Sequence, residues 1–238
     1  MQPLNIFGYR VWPFDSRGAL ARQVVNQPGV YVSLGAEALM RQDPAFMACV
    51  NSSIGYADGI GTVIAARWLC RTRLHKIPGC ELWLDVLATA PPSRLAVWGG
   101  SPEVNAMTRT QLAAQYPQHQ LVFCENGYTR DDDASIDAIV ARQPEIVVLA
   151  LGQPRQELIG SRIFERCPAS RVLPVGGSLD VYTGKVKRAP DWLVRLHLEW
   201  AYRLWLEPSR IRRQLVLPKF LLRVVRATLA RALGGSQL

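Results

Sequence analysis

EIVVLALGQPRQE (145–157) decides the fold class. Six consecutive apolar residues, Ile146 to Leu151, show no alternation. A strand of that kind is covered on both faces, as in the middle of a parallel sheet. Gly152 ends the run, and Pro154 suits the first turn of a helix. The spacing predicts a helix over PRQELIGSRIFERC (154–167). Moving outward, RVLPVGG (171–177), LVFCENGY (121–128), RLAVWGG (94–100) and VYVSLGA (30–36) read as further strands. Residues 54–57 lead into the turn Asp58-Gly59. Helical periodicity is read over 37–50, 60–70, 102–116 and 131–143. Strands alternating with helices predict an α/β chain with a mostly parallel sheet and helices on both faces. Ligands of such sheets bind beyond the carboxyl ends of the strands. Asp58, Gly100, Gln156 and Asp180 are therefore expected along one rim.

After Gly184 the character changes. Tryptophan and arginine interleave, and Pro190, Pro208 and Pro218 divide the segment into helices expected near 190–206, 209–217 and 218–233. Twelve basic and three acidic residues lie between Lys185 and Arg231, a local excess equal to the +9 net charge of all 238 residues. Something anionic is expected to meet this last fifth of the chain. Lys219, Arg223 and Arg226 recur at helical spacing, with leucines and valines elsewhere on the wheel, a pattern that suits an anionic bilayer surface. Packing on the core with a solvated basic face is the alternative. Residues 1–184 are read as one domain and 185–238 as a basic helical appendage. No window approaches the ~20 apolar residues of a membrane span, and no signal peptide is expected. Five cysteines with no CxxC spacing fit a reducing compartment.

The candidate chemistry lies at strand ends. Asp58 is a carboxylate placed for proton transfer, although an Asp before a helix is commonly a cap. Gly99-Gly100 and Gly176-Gly177 are turns whose backbone N–H groups can approach phosphate, a weak signal alone. Gln156 can bond a sugar or phosphate, or cap its own helix. Asp180 can hold a ribose or uracil, or order its own loop. Asp131-Asp132-Asp133 contains a DxD string, but acids at a helix start need no metal. Arg203, Arg210 and Arg213 can bind a diphosphate bidentately, while Glu199 offers Arg203 a local partner. His75, His119 and His197 show no metal-ligand spacing, and no metal is expected.

Together these strings resemble the WecG/TagA/CpsF glycosyltransferase family. The resemblance is carried by YADG (56–59), GGSPE (99–103), ENGY (125–128), LGQPRQE (151–157), VGGSLDVYTGKVKRAP (175–190), LEWAYRL (198–204) and EPSRIRRQ (207–214), and covers about 30–220. It implies a Rossmann-like core, metal-independent inverting transfer, and an appendage that touches the membrane and lends arginines to the site. It assigns Asp58 as base, Ser33 and Gln156 to the active site, and Arg203, Arg210 and Arg213 to the leaving group. Gly99, Gly100, Gly127, Tyr128, Gly176 and Asp180 fall to UDP. Ser33 stands where the family often has Thr, keeping the hydroxyl, and Gly35 replaces the usual Asn. The implied partners are a UDP-sugar donor, a polyprenyl-diphosphate-linked acceptor and an anionic membrane, on the cytoplasmic face. The implied sugar is N-acetylmannosaminuronic acid, N-acetylmannosamine or glucose. The rival readings are a non-catalytic sugar-nucleotide scaffold and a basic nucleic-acid-binding protein. The tail carries no recognised nucleic-acid module, and no nucleic-acid partner is expected.

Overall fold

The computed structural model describes residues 2–187, 189, 190, 193, 201, 202, 204 and 215–233. Its centre is a six-stranded sheet made of β3 (Gly29–Leu34), β4 (Ile54–Ala57), β5 (Arg94–Gly99), β6 (Gln120–Glu125), β7 (Ile146–Ala150) and β8 (Arg171–Pro174), in the order β4-β3-β8-β7-β5-β6. Every neighbouring pair is parallel. The α/β expectation is met.

Side chains alternate between the two faces, as the strand period requires. Val32, Leu34, Trp98, Val147 and Leu149 enter one core, with α3 (Pro44–Asn51), α4 (Ile60–Leu69), α7 (Asp132–Ala141) and α8 (Arg155–Arg166). Tyr31, Val97, Val148 and Leu173 enter the other, with α1 (Arg17–Asn26), α5 (Gly79–Thr89), α6 (Pro102–Gln115) and α9 (Ser178–Tyr182). The chain leaves β5 toward the β6 edge and leaves β7 in the opposite direction, toward β8. A crevice opens where neighbouring strands diverge in this way.

Three elements depart from the reading of 1–90. The expected helix over 37–50 is two helices, α2 (Ala36–Met40) and α3. Pro44 cannot continue a helix from upstream, and Asp43 caps α3, its Oδ1 accepting from the Ala45 and Phe46 N–H groups at 3.0 and 3.3 Å. An antiparallel hairpin, β1 (Leu4–Ile6) and β2 (Tyr9–Val11), lies against β4, where Trp12 N–H donates to the Gly55 carbonyl at 2.8 Å. Helix α5, with Pro78 as its extended N-cap, was not anticipated.

Within the appendage, α10 (Val216–Ala232) is described. Pro218 sits in its first turn, where a missing N–H costs nothing. The helices expected near 190–206 and 209–217 lie largely outside the described residues, as do Arg203, Arg210 and Arg213. Helix α10 buries Phe220 and Val224 in the same core as β3. Phe220 meets Phe7 edge-on at 6.0 Å. The expected basic stripe is divided: Arg223 turns inward over the Phe7 ring at 4.3 Å, whereas Lys219 and Arg226 are exposed. Leu221, Leu222, Val225 and Leu229 are exposed as well. No helix among the described residues is long and apolar enough to cross a membrane.

Candidate active site

A cleft of about 760 Å³ opens at the carboxyl ends of β3, β4 and β8. Ser33, Gly35, Asp58, Gly59 and Gly79 line it. Gln153, Gln156 and Gly176 line it too, as do the apolar Leu217, Phe220 and Leu221 of α10. The fold thus gathers Ser33, Asp58, Gln156 and Gly176 around one cavity.

Asp58 directly follows β4, and its backbone N–H donates to the Leu34 carbonyl at 3.2 Å. The alternative of a cap on the following helix is not what the structure holds. The N-cap of α4 is Gly59, with no side-chain bond. Instead Asp58 Oδ1 accepts the Gly79 N–H at 3.2 Å, at the start of α5. A half-buried carboxylate is thus fixed from a distant helix and faces the cleft. Tyr56, two residues earlier, is fully buried and hydrogen-bonded to Ser33. Burial, reinforced by the charge of Asp58, pushes the Tyr56 hydroxyl well above its ordinary pKa. It therefore stays a neutral phenol beside the carboxylate. A Cβ at Gly79 would come within 3.1 Å of that hydroxyl, which explains the glycine.

Gln156 is buried, and its carboxamide is committed. Oε1 accepts the Gly152 N–H at 3.1 Å and the Gly176 N–H at 3.0 Å, and Nε2 donates to Glu157 Oε1 at 2.8 Å. It joins the loops after β7 and β8. Gln153 Nε2 reaches the Ser33 carbonyl at 3.4 Å. Sequence reasoning missed Tyr56, Glu157 and Lys76, which lines the cleft from the loop between α4 and α5. Tyr56 and Glu157 stood inside quoted motifs without a role; Lys76 belongs to no motif.

Gly99, Gly100, Gly127 and Tyr128 stand at the β5–β7 crevice rather than on this cleft. Gly99 and Gly100 take φ of 141° and 71°, which favours glycine. The Gly100 carbonyl accepts the Gly127 N–H at 2.9 Å, and the Arg155 guanidinium holds the Gly127 carbonyl at 2.8 Å. Tyr128 is 78% exposed at the tip of that turn. Lys185 Nζ meets Glu103 at 2.6 Å and the Ser101 hydroxyl at 3.4 Å. The pairing raises the Lys185 pKa and lowers that of Glu103. Half-buried Asp180, on α9, adds to the field at Lys185. The three aspartates of the DxD string are occupied otherwise: Asp131 caps α7 by accepting the Ala134 N–H at 3.0 Å, Asp132 pairs with Arg155, and Asp133 pairs with Arg162.

A parallel α/β sheet with a helix-anchored carboxylate at its rim and a glycine-rich crevice farther along it suits a transferase. The chain belongs to the WecG/TagA/CpsF glycosyltransferase family, whose model matches residues 4–233. It is 33% identical over 202 residues to an N-acetylglucosaminyldiphosphoundecaprenol N-acetyl-beta-D-mannosaminyltransferase of Bacillus spizizenii, covering 84% of this chain and 78% of that protein. It is likewise 33% identical over 194 residues to the protein of that name from Bacillus subtilis, covering 80% of this chain and 75% of the relative. The family resemblance read from the motifs is borne out, and the chain is a glycosyltransferase.

Proposed function

We propose that the chain transfers a hexose-type sugar from a UDP donor to a polyprenyl-diphosphate-linked saccharide, with inversion and without a metal. The observation that carries this reading is Asp58, held by the Gly79 N–H in a cleft lined also by Gln153, Gln156, Gly176 and the apolar Leu217, Phe220 and Leu221 of α10. The nucleotide lies over the β5–β7 crevice, with Tyr128 and Asp180 beside it. The diphosphate crosses the Gly176 turn, and the sugar reaches Ser33 and Asp58. The span from β5 to β3 is three strand spacings, about 14 Å. The acceptor hydroxyl oxygen attacks the anomeric carbon while Asp58 takes its proton. The bond from that carbon to the diphosphate oxygen breaks, and UDP leaves with the electron pair. Arg203, Arg210 and Arg213 are assigned to the charge that builds on it. The relatives' names support a lipid-diphosphate acceptor and an N-acetylmannosamine-type donor. The exposed leucines of α10 support a place on the inner face of the cell membrane, where such an acceptor sits.

The test is UDP release over a panel of UDP-sugars with a short polyprenyl-diphosphate-linked N-acetylglucosamine. Asp58→Asn should lower turnover at least about 100-fold, the scale of a lost general base, with UDP affinity little changed. Near-wild-type turnover in that variant would remove Asp58 from the role.

A further inference from the structure

Glu157 is fully buried next to Gln156, and the chemistry above gives it no task. A buried ionisable carboxylate costs stability unless it is paired and bonded, and its Oε2 has no hydrogen-bond partner. Its other oxygen accepts Gln156 Nε2 at 2.8 Å. The two ends of a carboxamide are nearly the same size, and only their partners decide which way it lies. An ionised carboxylate offers acceptors alone, so it selects the NH2 end. With Nε2 held on Glu157, Gln156 Oε1 meets the N–H groups of Gly152 and Gly176. The reversed amide would aim its own donors at those two donors and leave them unpaired. Gln153, in the loop after β7, meets the Ser33 carbonyl through its Nε2. This carboxylate therefore orders the side chain that joins the ends of β7 and β8 at the cleft.

We propose that Glu157 is a positioning residue: it fixes the amide orientation of Gln156 and, through it, the two strand-end loops that receive the donor. This rests on the reading that the UDP-sugar lies across those loops. The experiment is steady-state UDP release by the full chain, varying donor and acceptor separately, with melting curves for every variant. Glu157→Leu should raise the donor KM about tenfold or more, the scale of buried donors left unpaired, with the acceptor KM within about twofold. In a Gln156→Ala background the same substitution should add little, because a residue that acts through another is non-additive with it.

A role exchange keeps the test independent of whether Glu157→Leu folds. Gln156→Glu alone sets two carboxylates against each other. Gln156→Glu with Glu157→Gln restores the pattern: the acid at 156 accepts both glycine N–H groups, and the amide at 157 donates to it. The double variant should recover the donor KM to within about threefold of wild type. A double variant no better than Gln156→Glu, additive losses in the Gln156→Ala background, or a folded Glu157→Leu with wild-type donor KM would each overturn the proposal. A wild-type chain that releases no UDP from any donor would sink the function reading and this inference together. Wild-type release with unaffected variants would sink this inference alone.

Discussion

Glu157 carries a charge whose cost depends on pH. Burial is the largest influence on it and pushes its pKa above the ordinary carboxylate value, while the bond from Gln156 pulls less strongly the other way. The folded state therefore binds this proton more tightly than the unfolded chain does. The contribution to stability is full below the unfolded value, about 4.3, and is lost as pH rises through the folded one. Glu157→Gln removes the group that ionises while keeping an oxygen for Gln156 Nε2. It should melt above wild type at pH 7.5, by roughly 2–4 °C per kcal/mol recovered, and the gap should close near pH 4. A gap that is the same at both pH values would show that ionisation has no part in it. At this scale the sequence marked Ser33, Asp58, Gln156 and Gly176, because strand-end motifs carry them. It was silent on which helix holds Asp58, since Gly79 comes 21 residues later and only the packing of α5 brings it there.

Elements were legible in proportion to their length. The long apolar runs of β5 and β7 show their period plainly, whereas β1 and β2 have three residues each and too few positions to show one. The hairpin's place on β4 depends on a glycine. A Cβ at Gly55 would come within 2.6 Å of both the Arg10 carbonyl and Leu34 Cδ1. Gly35, the N-cap of α2, is the opposite case. Its φ of −97° suits any residue, and nothing lies within 4 Å of where a Cβ would stand. The family's usual Asn would fit there, and its absence leaves that part of the cleft open. Gly35→Asn should therefore melt at or slightly above wild type, since Asn is a better cap than Gly by a few tenths of a kcal/mol. Gly55→Ala should lose about 1–3 kcal/mol through overpacking. Denaturant melts of the pair check both, and a Gly35→Asn variant as unstable as Gly55→Ala would refute the open-space account.

For the whole molecule, the question is how a chain with no spanning helix among its described residues would meet the lipid-anchored acceptor proposed for it. The charge excess of 185–231 was plain in the sequence, but the division of labour on α10 was not, because one helix carries two apolar faces. The inner face, Phe220 and Val224, belongs to the core. The outer face, Leu221, Leu222, Val225 and Leu229, is exposed, with Lys219 and Arg226 also exposed on the helix. Leu221 also lines the cleft, so the outer face runs to its mouth. Deleting 185–238 is consequently a poor test of membrane contact, since it strips Phe220 and Val224 from the core as well. Substituting the outer face alone separates the two roles. Leu222→Glu with Leu229→Glu should leave the melting temperature nearly unchanged, as surface changes away from packed features cost within about 0.5 kcal/mol. Binding to vesicles rich in anionic lipid should fall at least about tenfold, through lost apolar insertion and added repulsion. Replacing Lys219 and Arg226 with serine should weaken the same binding by about 1 kcal/mol each and flatten its salt dependence. Vesicle binding that survives both sets of substitutions would place the membrane contact elsewhere on the chain and leave the exposed leucines without this role.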